Sequence, residues 1–269
     1  MPRVLLLTST FLRHHFFIQF LSRHLDIVGV WREEKSFKPE ENAGNKEDRA
    51  VIAEHFDARD RSETTYFGKY AALSLDPGVL LQDLPPNAIN APGELAAMQA
   101  LRPDILLVFG SGILREGIIG AFAGKIINLH LGISPYYRGS GTNFWPLVNG
   151  EPEYVGATIH YLDEGIDSGK MICHVRPSMK SEDGPHDLGN ATIIAAVKAL
   201  PAVVSAHAAS TLHAVPQRTD IGKLYLRKQF SADAVRALRA NFARGMILEY
   251  LHAKSARDRA LDLLPVPHS

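Results

Sequence analysis

The first hundred residues alternate between short apolar runs and helical stripes. Residues 4–7 form an apolar run that ends at Thr8, and this predicts a buried first strand. Residues 26–31 predict a second strand, and the apolar side chains between the two recur at helical spacing: Phe16, Phe17, Phe20, Leu21 and Leu25. A helix between two buried strands predicts a parallel sheet with a right-handed crossover.

The middle of the chain continues this pattern. Residues 105–109 are wholly apolar and predict a central strand buried on both faces, and residues 125–129 predict the next strand, which delivers Asn128 and His130. Residues 155–162 and 171–175 predict two more strands, joined by a loop over residues 163–169. The strands ending at Gly110 and His130 should flank one crevice, because sites in open α/β sheets lie at the carboxyl ends of strands.

Helices are predicted between and after these strands. Residues 46–55, 91–101 and 114–122 favour helices, and one stripe of a longer helix is Ile193, Val197, Leu200 and Val204. Pro201 is expected to kink or interrupt that helix. Ser231 is expected to cap a later helix, which carries Val235, Leu238, Phe242 and Met246, and residues 263–269 are expected to be loose.

Composition narrows the class of protein. The chain has 269 residues, 46% of them hydrophobic, which suffices for one large domain or a domain with a small appendage. Lys plus Arg and Asp plus Glu both number 29, so no net field attracts nucleic acid or an anionic membrane. The single cysteine, Cys173, excludes an internal disulfide and suits a reducing cytoplasm. The four-residue apolar run near the start is too short for a signal segment or a membrane span.

The candidate chemistry lies at the end of the second central strand. Asn128 and His130 stand two residues apart there, and Asp167 lies in the later glycine-bounded loop. An amide can donate to an oxyanion, an imidazole can move a proton, and a carboxylate can orient the imidazole. This set suits acyl transfer without a serine or cysteine nucleophile. An isolated Asn-x-His is more often a turn, so the motifs that follow it decide the interpretation.

Those motifs resemble the folate-dependent formyltransferases over residues 104–177. The family shares an N-x-H signature, a P-x-Y-R-G loop and a T-x-H followed by D-x-G. This chain has them in the same order: Asn128-Leu129-His130, Pro135-Tyr136-Tyr137-Arg138-Gly139, Thr158-Ile159-His160 and Asp167-Ser168-Gly169. The resemblance implies an α/β fold, a formyltransferase-like, Rossmann-type and mostly parallel sheet with helices on both faces. The expected division is a catalytic domain over residues 1–205 and a mainly helical extension over residues 206–269, available for acceptor binding or dimer contact.

The resemblance also implies roles for individual residues. Asn128, His130 and Asp167 match the family's catalytic set, with Asp167 orienting His130 and relaying protons through water. The family's pterin pocket corresponds to Gly112, Ile113, Leu114, Asp163, Gly165 and Ile166, and 10-formyltetrahydrofolate is the implied formyl donor. Ser134, Tyr137 and Arg138 are the implied acceptor-binding residues, and a guanidinium at Arg138 suits an anionic acceptor. His160 is interpreted as structural, and no metal site is predicted because the histidines lack ligand spacing.

Positions at which this sequence differs from other family members narrow the choice of acceptor. Relatives that formylate glycinamide ribonucleotide carry a glycine-rich loop after the first strand, whereas residues 8–13 contain no glycine. A β-barrel of the kind used with initiator tRNA is not suggested by the helical pattern after Ser205. The stretch over residues 130–135 favours the branch that formylates amino sugars, often nucleotide-linked. A formyl-folate hydrolase, a methionyl-tRNA formyltransferase-like enzyme and a silent folate- or nucleotide-binding module stay open.

Overall fold

The computed structural model describes residues 1–36, 38–165, 169–218 and 220–267. Its main feature is a seven-stranded sheet, whose strands are β1 Arg3–Thr8, β2 Asp26–Glu33, β3 Leu80–Leu84, β4 Ile105–Val108, β5 Ile126–Leu131, β7 Ala157–Tyr161 and β8 Met171–Val175. They lie in the order β3-β2-β1-β4-β5-β7-β8; the first five strands in this order pair in parallel, and β7 and β8 join in antiparallel orientation. Two short strands, β6 Tyr137–Gly139 and β9 Lys223–Tyr225, form a separate parallel pair. The predicted mostly parallel α/β class is confirmed.

Helices lie on both faces of the sheet. They are α1 Leu12–Ser22, α2 Lys46–Phe67, α3 Pro92–Ala100, α4 Glu116–Ala121, α5 Trp145–Val148, α6 Pro185–Ala208, α7 Ala232–Ala243 and α8 Met246–Asp258. One core joins alternate residues of β1, β4 and β5 to α1 and α6, and it includes Leu6, Leu107 and Ile127. The other core joins the opposite face to α3 and α4, and it includes Val108 and Ile126. The period-two alternation of each strand therefore supplies both cores.

The helix predictions are largely confirmed, with two corrections. The helix predicted over residues 46–55 extends to Phe67 as α2. Its buried residues are Ile52, His55, Glu63 and Phe67. Pro201 does not interrupt α6, which runs from Pro185 to Ala208 and buries the predicted stripe against the sheet. Packing along its whole length compensates for the missing backbone donor of proline. Ser231 caps α7 as predicted, by accepting from the Ala234 amide.

Within the described residues, α6 is the one helix whose length and composition alone would allow it to cross a membrane. A helix that packs inside a protein core meets the same criterion, and the buried residues of α6, such as Val197 and Val204, belong to the core beneath the sheet.

The prediction of a loose C-terminal tail is wrong for its described part. The backbone N–H of His174 in β8 donates to the carbonyl of Leu264 at 2.9 Å. The Leu264 N–H donates back to the His174 ring at 2.9 Å, and Val266 packs against the larger core. Edge strand β8 has an unpaired side that accepts this segment.

Candidate active site

The polar residues of the candidate site occupy the face of β5 and β7 that α3 and α4 leave uncovered. On β5, Ile126 still belongs to the core under those helices, and the next residues on the same face are Asn128 and His130. The neighbouring strand places His160 opposite Asn128 and Thr158 opposite His130. Strand register alone therefore gathers two histidines, an amide and a hydroxyl on one face.

Asn128 is held by His160. Its side-chain Nδ2 lies 3.0 Å from His160 Nε2, and His160 Nδ1 lies 2.8 Å from the carbonyl of Tyr161. A carbonyl only accepts, so His160 Nδ1 carries a proton and Nε2 accepts from the Asn128 amide. The same amide nitrogen carries a second N–H, and its direction is fixed by the first bond. The amide is thereby oriented as a hydrogen-bond donor.

His130 is buried, with 9% of its surface exposed, and its Nε2 lies 3.3 Å from the Thr142 hydroxyl. The two site histidines are near neighbours, with their ring centroids 6.3 Å apart. Gly132 allows Thr142 to approach, because a Cβ at this position would lie 2.5 Å from Thr142 Cβ, and its φ of +139° also favours glycine. The turn after β5 therefore brings a hydroxyl to the imidazole of His130.

The segment after His130 is anchored to β7 and β8 through Ser134. The Ser134 N–H donates to the Thr158 hydroxyl at 2.8 Å, and that hydroxyl donates to the Gly132 carbonyl at 2.6 Å. The Ser134 carbonyl accepts from His174 Nε2 at 2.8 Å. Ser134 is fully buried, and its peptide bond to Pro135 is cis.

The other two predicted acceptor-binding residues lie on β6. Tyr137 is 2% exposed, donates its hydroxyl proton to Glu151 and accepts from Asn149 at 2.7 Å, and its ring is parallel to that of Tyr225. Burial and the hydrogen bond to Glu151 raise the pKa of Tyr137. Arg138 is half-buried and pairs with Leu224 of β9. Acceptor binding by these residues stays a prediction, and for Tyr137 the geometry favours a supporting position beneath the surface.

The predicted pterin-pocket residues follow β4 and β7. Ile113 is 84% exposed, unusual for a large apolar side chain, whereas Leu114 is buried under α3 and α4. Gly112 lies against Glu33, whose carboxylate a Cβ would contact at 2.0 Å. In the later loop, Asp163 Oδ1 accepts from the Gly165 N–H at 3.0 Å. An exposed apolar side chain beside the crevice suits a flat heterocycle, and its role stays a prediction.

Two of the predicted residues, Ile166 and Asp167, lie outside the described residues. Among the described ones, no group of three or more His, Cys, Asp or Glu side chains is arranged to hold a metal ion. The sequence interpretation gave Thr142, Thr158 and His174 no part in the site. Thr158 and His160 do belong to the T-x-H motif. They are two residues apart, as Asn128 and His130 are, so the alternation of side chains along paired strands is the signal that could have placed all four on one face of the site.

Comparisons with known proteins place this geometry in a family. The family model described as formyl transferase matches residues 22–204, and the chain belongs to this family of enzymes that transfer formyl groups.

Solved structures share the fold at low sequence identity. A Mycobacterium tuberculosis protein, for which sugar N-formyltransferase activity has been proposed, is 20% identical, with a TM-score of 0.55 over 86% of this chain and 77% of its own. Phosphoribosylglycinamide formyltransferase from Anaplasma phagocytophilum is 17% identical, with a TM-score of 0.55 over 84% of this chain and 98% of its own. A sugar N-formyltransferase from a Shewanella species is 14% identical, with a TM-score of 0.54 over 86% and 78%.

Proposed function

We propose that this enzyme transfers the formyl group of 10-formyltetrahydrofolate to the amine of a small acceptor, with an amino sugar, free or nucleotide-linked, as the favoured class. The observation that carries the proposal is the placement of Asn128 and His130 on one face at the carboxyl end of β5. The amide of Asn128 is already oriented by His160 at 3.0 Å.

The reaction needs both groups. Attack of an amine on the formyl carbon gives a tetrahedral intermediate with a negative oxygen, and a preorganised N–H donor stabilises it. The second N–H of Asn128 supplies that donor. The amine must lose a proton and the folate nitrogen must gain one, and an imidazole at His130 suits this exchange. Asp167 is proposed to orient His130.

The preference for an amino-sugar acceptor rests on positions where this sequence differs from other members of the family. Residues 8–13 lack the glycine-rich phosphate loop of the glycinamide ribonucleotide enzymes, and the residues after His130 favour the sugar branch. Of the structures that share this fold, one is described as a sugar N-formyltransferase and another as a proposed one.

The test removes each group in turn. Asn128→Ala or His130→Ala should lower turnover by about 10² to 10³ and leave the circular dichroism spectrum unchanged. The double variant should be little worse than either single one, because the two groups act on one transition state. His252→Ala, at an exposed position of α8, serves as the control. Near wild-type turnover of His130→Ala would contradict the proposal.

The dependence of folate release on an added amine distinguishes a transferase from a hydrolase. A transferase should release folate slowly in buffer and much faster when the correct amine is added. Rapid formate release without an amine identifies a hydrolase, whereas binding of a folate or nucleotide with neither formate release nor formyl transfer identifies a silent binding module. Incubation with a panel of amines, followed by mass spectrometry for the gain of one formyl group, identifies the acceptor.

A further inference from the structure

Thr142 contacts the imidazole of His130 from the loop that follows β6. Thr142 is 3% exposed, and its Oγ1 lies 3.3 Å from His130 Nε2. In the part of the chain that the structure describes, this is the one hydrogen-bond contact of the Thr142 hydroxyl. A contact of this length is common for catalytic side chains before substrate binds, and it shortens in the complex. A hydroxyl both donates and accepts, so it serves Nε2 with or without a proton on that nitrogen.

The backbone on both sides of Thr142 is fixed by hydrogen bonds. On the C-terminal side, Asn143 Oδ1 accepts from the Gly156 N–H at 2.9 Å, directly before β7. On the N-terminal side, Trp145 Nε1 donates to the Ser140 carbonyl at 3.1 Å, and Trp145 itself is buried. These contacts therefore set the position from which the Thr142 hydroxyl reaches the imidazole.

The C-terminal extension reaches the same loop through the backbone of β9. The Ser140 N–H donates to the Tyr225 carbonyl at 2.8 Å, and the Lys223 N–H donates to the Tyr136 carbonyl at 2.8 Å. Gly139 has a φ of +91°, and a Cβ there would lie 2.2 Å from the Tyr225 carbonyl oxygen, so only glycine lets the two backbones approach this closely. The loop before Thr142 is thus bonded along its length to a strand of the extension.

The side chain of Tyr225 makes a second set of contacts with this region. Its ring is nearly parallel to that of Trp145, with the centroids 4.4 Å apart and an interplanar angle of 12°. Asn149 Nδ2 donates to the Tyr225 hydroxyl at 2.9 Å and to the Tyr137 hydroxyl at 2.7 Å, so one amide links the two tyrosines. Tyr225 therefore fixes Trp145, the residue that bonds to the Ser140 carbonyl.

We infer that Thr142 is a positioning residue for His130, and that Tyr225 of the C-terminal extension keeps Thr142 in place, so that the extension completes the active site. An imidazole that takes up and releases a proton keeps one orientation when its partner bonds to both forms. The Thr142 hydroxyl accepts from Nε2 when that nitrogen is protonated and donates to it when it is not. The inference rests on the proposed function in giving His130 a proton-transfer role.

Two substitutions of Thr142 separate the hydrogen bond from packing. Thr142→Val keeps the branched shape and loses the hydroxyl, whereas Thr142→Ser keeps the hydroxyl and loses the methyl group. We expect Thr142→Val to lower kcat by about tenfold with KM unchanged, and Thr142→Ser to recover most of the rate. Steady-state kinetics with 10-formyltetrahydrofolate and the amine that the panel identifies provide the measurement. If Thr142 only packs against Gly132, the order reverses, and an active valine variant beside an impaired serine variant overturns the inference.

Heteronuclear NMR of the histidine side chains tests the contact without turnover. The chemical shifts of the imidazole nitrogens respond to protonation and hydrogen bonding, and His130→Gln assigns the His130 signals. The Nε2 signal of His130 should move in Thr142→Val and return towards its wild-type position in Thr142→Ser. The signals of His252, exposed on α8, serve as the control and should stay unchanged.

This spectrum keeps the inference and the proposed function apart. An unchanged His130 Nε2 signal in Thr142→Val overturns the inference whether or not the protein transfers formyl groups. Near wild-type turnover of His130→Ala contradicts the proposed function and leaves the NMR comparison as it stands.

Tyr225→Leu tests the part played by the extension, because it removes the ring and the hydroxyl and keeps the backbone bond to Ser140. We expect kcat to fall several-fold in the wild-type background and to change little in the Thr142→Val background, since Tyr225 acts through Thr142. Leu226→Ala, at an exposed position directly after β9, is the matched control and should keep the wild-type kcat.

Thermal melting checks that the Tyr225 variants are folded. Tyr225→Phe keeps the stacked ring and loses only the bond to Asn149, so it gives the same comparison with a milder change. An unaltered kcat in Tyr225→Leu, or the same fold-loss with and without the Thr142 hydroxyl, would show that Tyr225 does not act through Thr142 and would overturn the role of the extension.

Discussion

The hydrogen bond between Asn128 and His160 determines how the candidate oxyanion donor is held. An asparagine side chain rotates readily, and a donor that must first find its direction loses part of its effect on the transition state. His160 accepts from the amide through Nε2 because its Nδ1 is committed to a backbone carbonyl. We therefore expect His160 to act as a positioning residue, where the sequence interpretation gave it a structural role.

Replacing His160 should reduce kcat with little change in KM for either substrate. His160→Ala leaves the Asn128 amide without its acceptor, and we expect kcat to fall by about tenfold, less than for loss of the amide itself. His160→Gln keeps an acceptor and should recover part of the rate. Steady-state kinetics of both variants, with thermal melting as the control for folding, provide the measurement. Equal rates for the alanine variant and the wild type would return His160 to a structural role.

At the scale of single residues, the sequence identified Asn128 and His130 because they belong to a motif with chemical meaning. It could not identify Thr142 or His174 in the same way, because their contacts depend on the path of the chain after β5. Thr142 reaches His130 only because Gly132 admits it, and His174 reaches Ser134 from another strand. Such contacts join residues 12 and 40 positions apart, and no local periodicity encodes them.

The segment over residues 263–267 lies along the free edge of β8 and hydrogen-bonds to it through Leu264. Burial lowers the pKa of His174, which favours its neutral form. Its Nε2 donates to the Ser134 carbonyl, so its Nδ1 is free of a proton and accepts from the Leu264 N–H. One imidazole thus links β8, the loop after β5 and the C-terminal segment.

Ending the chain at Asp262 should lower the free energy of unfolding by about 2–3 kcal/mol. Two hydrogen bonds are lost, each worth about 1 kcal/mol, His174 Nδ1 becomes unsatisfied, and Val266 no longer packs on the core. Urea unfolding measures the change. Val266→Ala keeps both hydrogen bonds and should cost less, about 1 kcal/mol. A truncated protein as stable as the full chain would contradict this account of the segment.

At the scale of elements, strands with strong patterns were predictable and weak ones were not. Strands β1, β2 and β4 were predicted because they are largely apolar on both faces, and β5 was predicted from the apolar residues that precede and alternate with Asn128 and His130. Strand β3 has exposed leucines at positions 80 and 81 and only Leu84 buried, so its sequence lacks the alternation of a covered strand. Strands β6 and β9 have three residues each and exist through pairing with each other. The boundary between residues 1–205 and 206–269 stays a prediction.

Across the whole molecule, packing buries several histidines in neutral form. Burial is the largest cause that lowers the pKa of the following residues: His14, His55, His174, His186 and His207. Two of them meet between α2 and α6, where the rings of His55 and His186 lie 4.6 Å apart and His55 also contacts Phe144. Burial, together with repulsion from His186, lowers the pKa of His55 to about 3.

These histidines should make the protein sensitive to acid. The pKa of His186 falls from 6.5 to about 4 on folding, so between these values the unfolded chain binds a proton that the native protein excludes. The free energy of unfolding therefore rises with pH in this window and is lost as pH falls from about 6.5. Near pH 4.5 the loss is on the order of 2 kcal/mol for each of His55 and His186. Urea unfolding at pH 7.5 and pH 5 should give a smaller difference for His186→Gln than for the wild type, whereas His252→Gln, exposed on α8, should follow the wild type. Parallel pH dependences for wild type and His186→Gln would show that this pair does not govern acid stability.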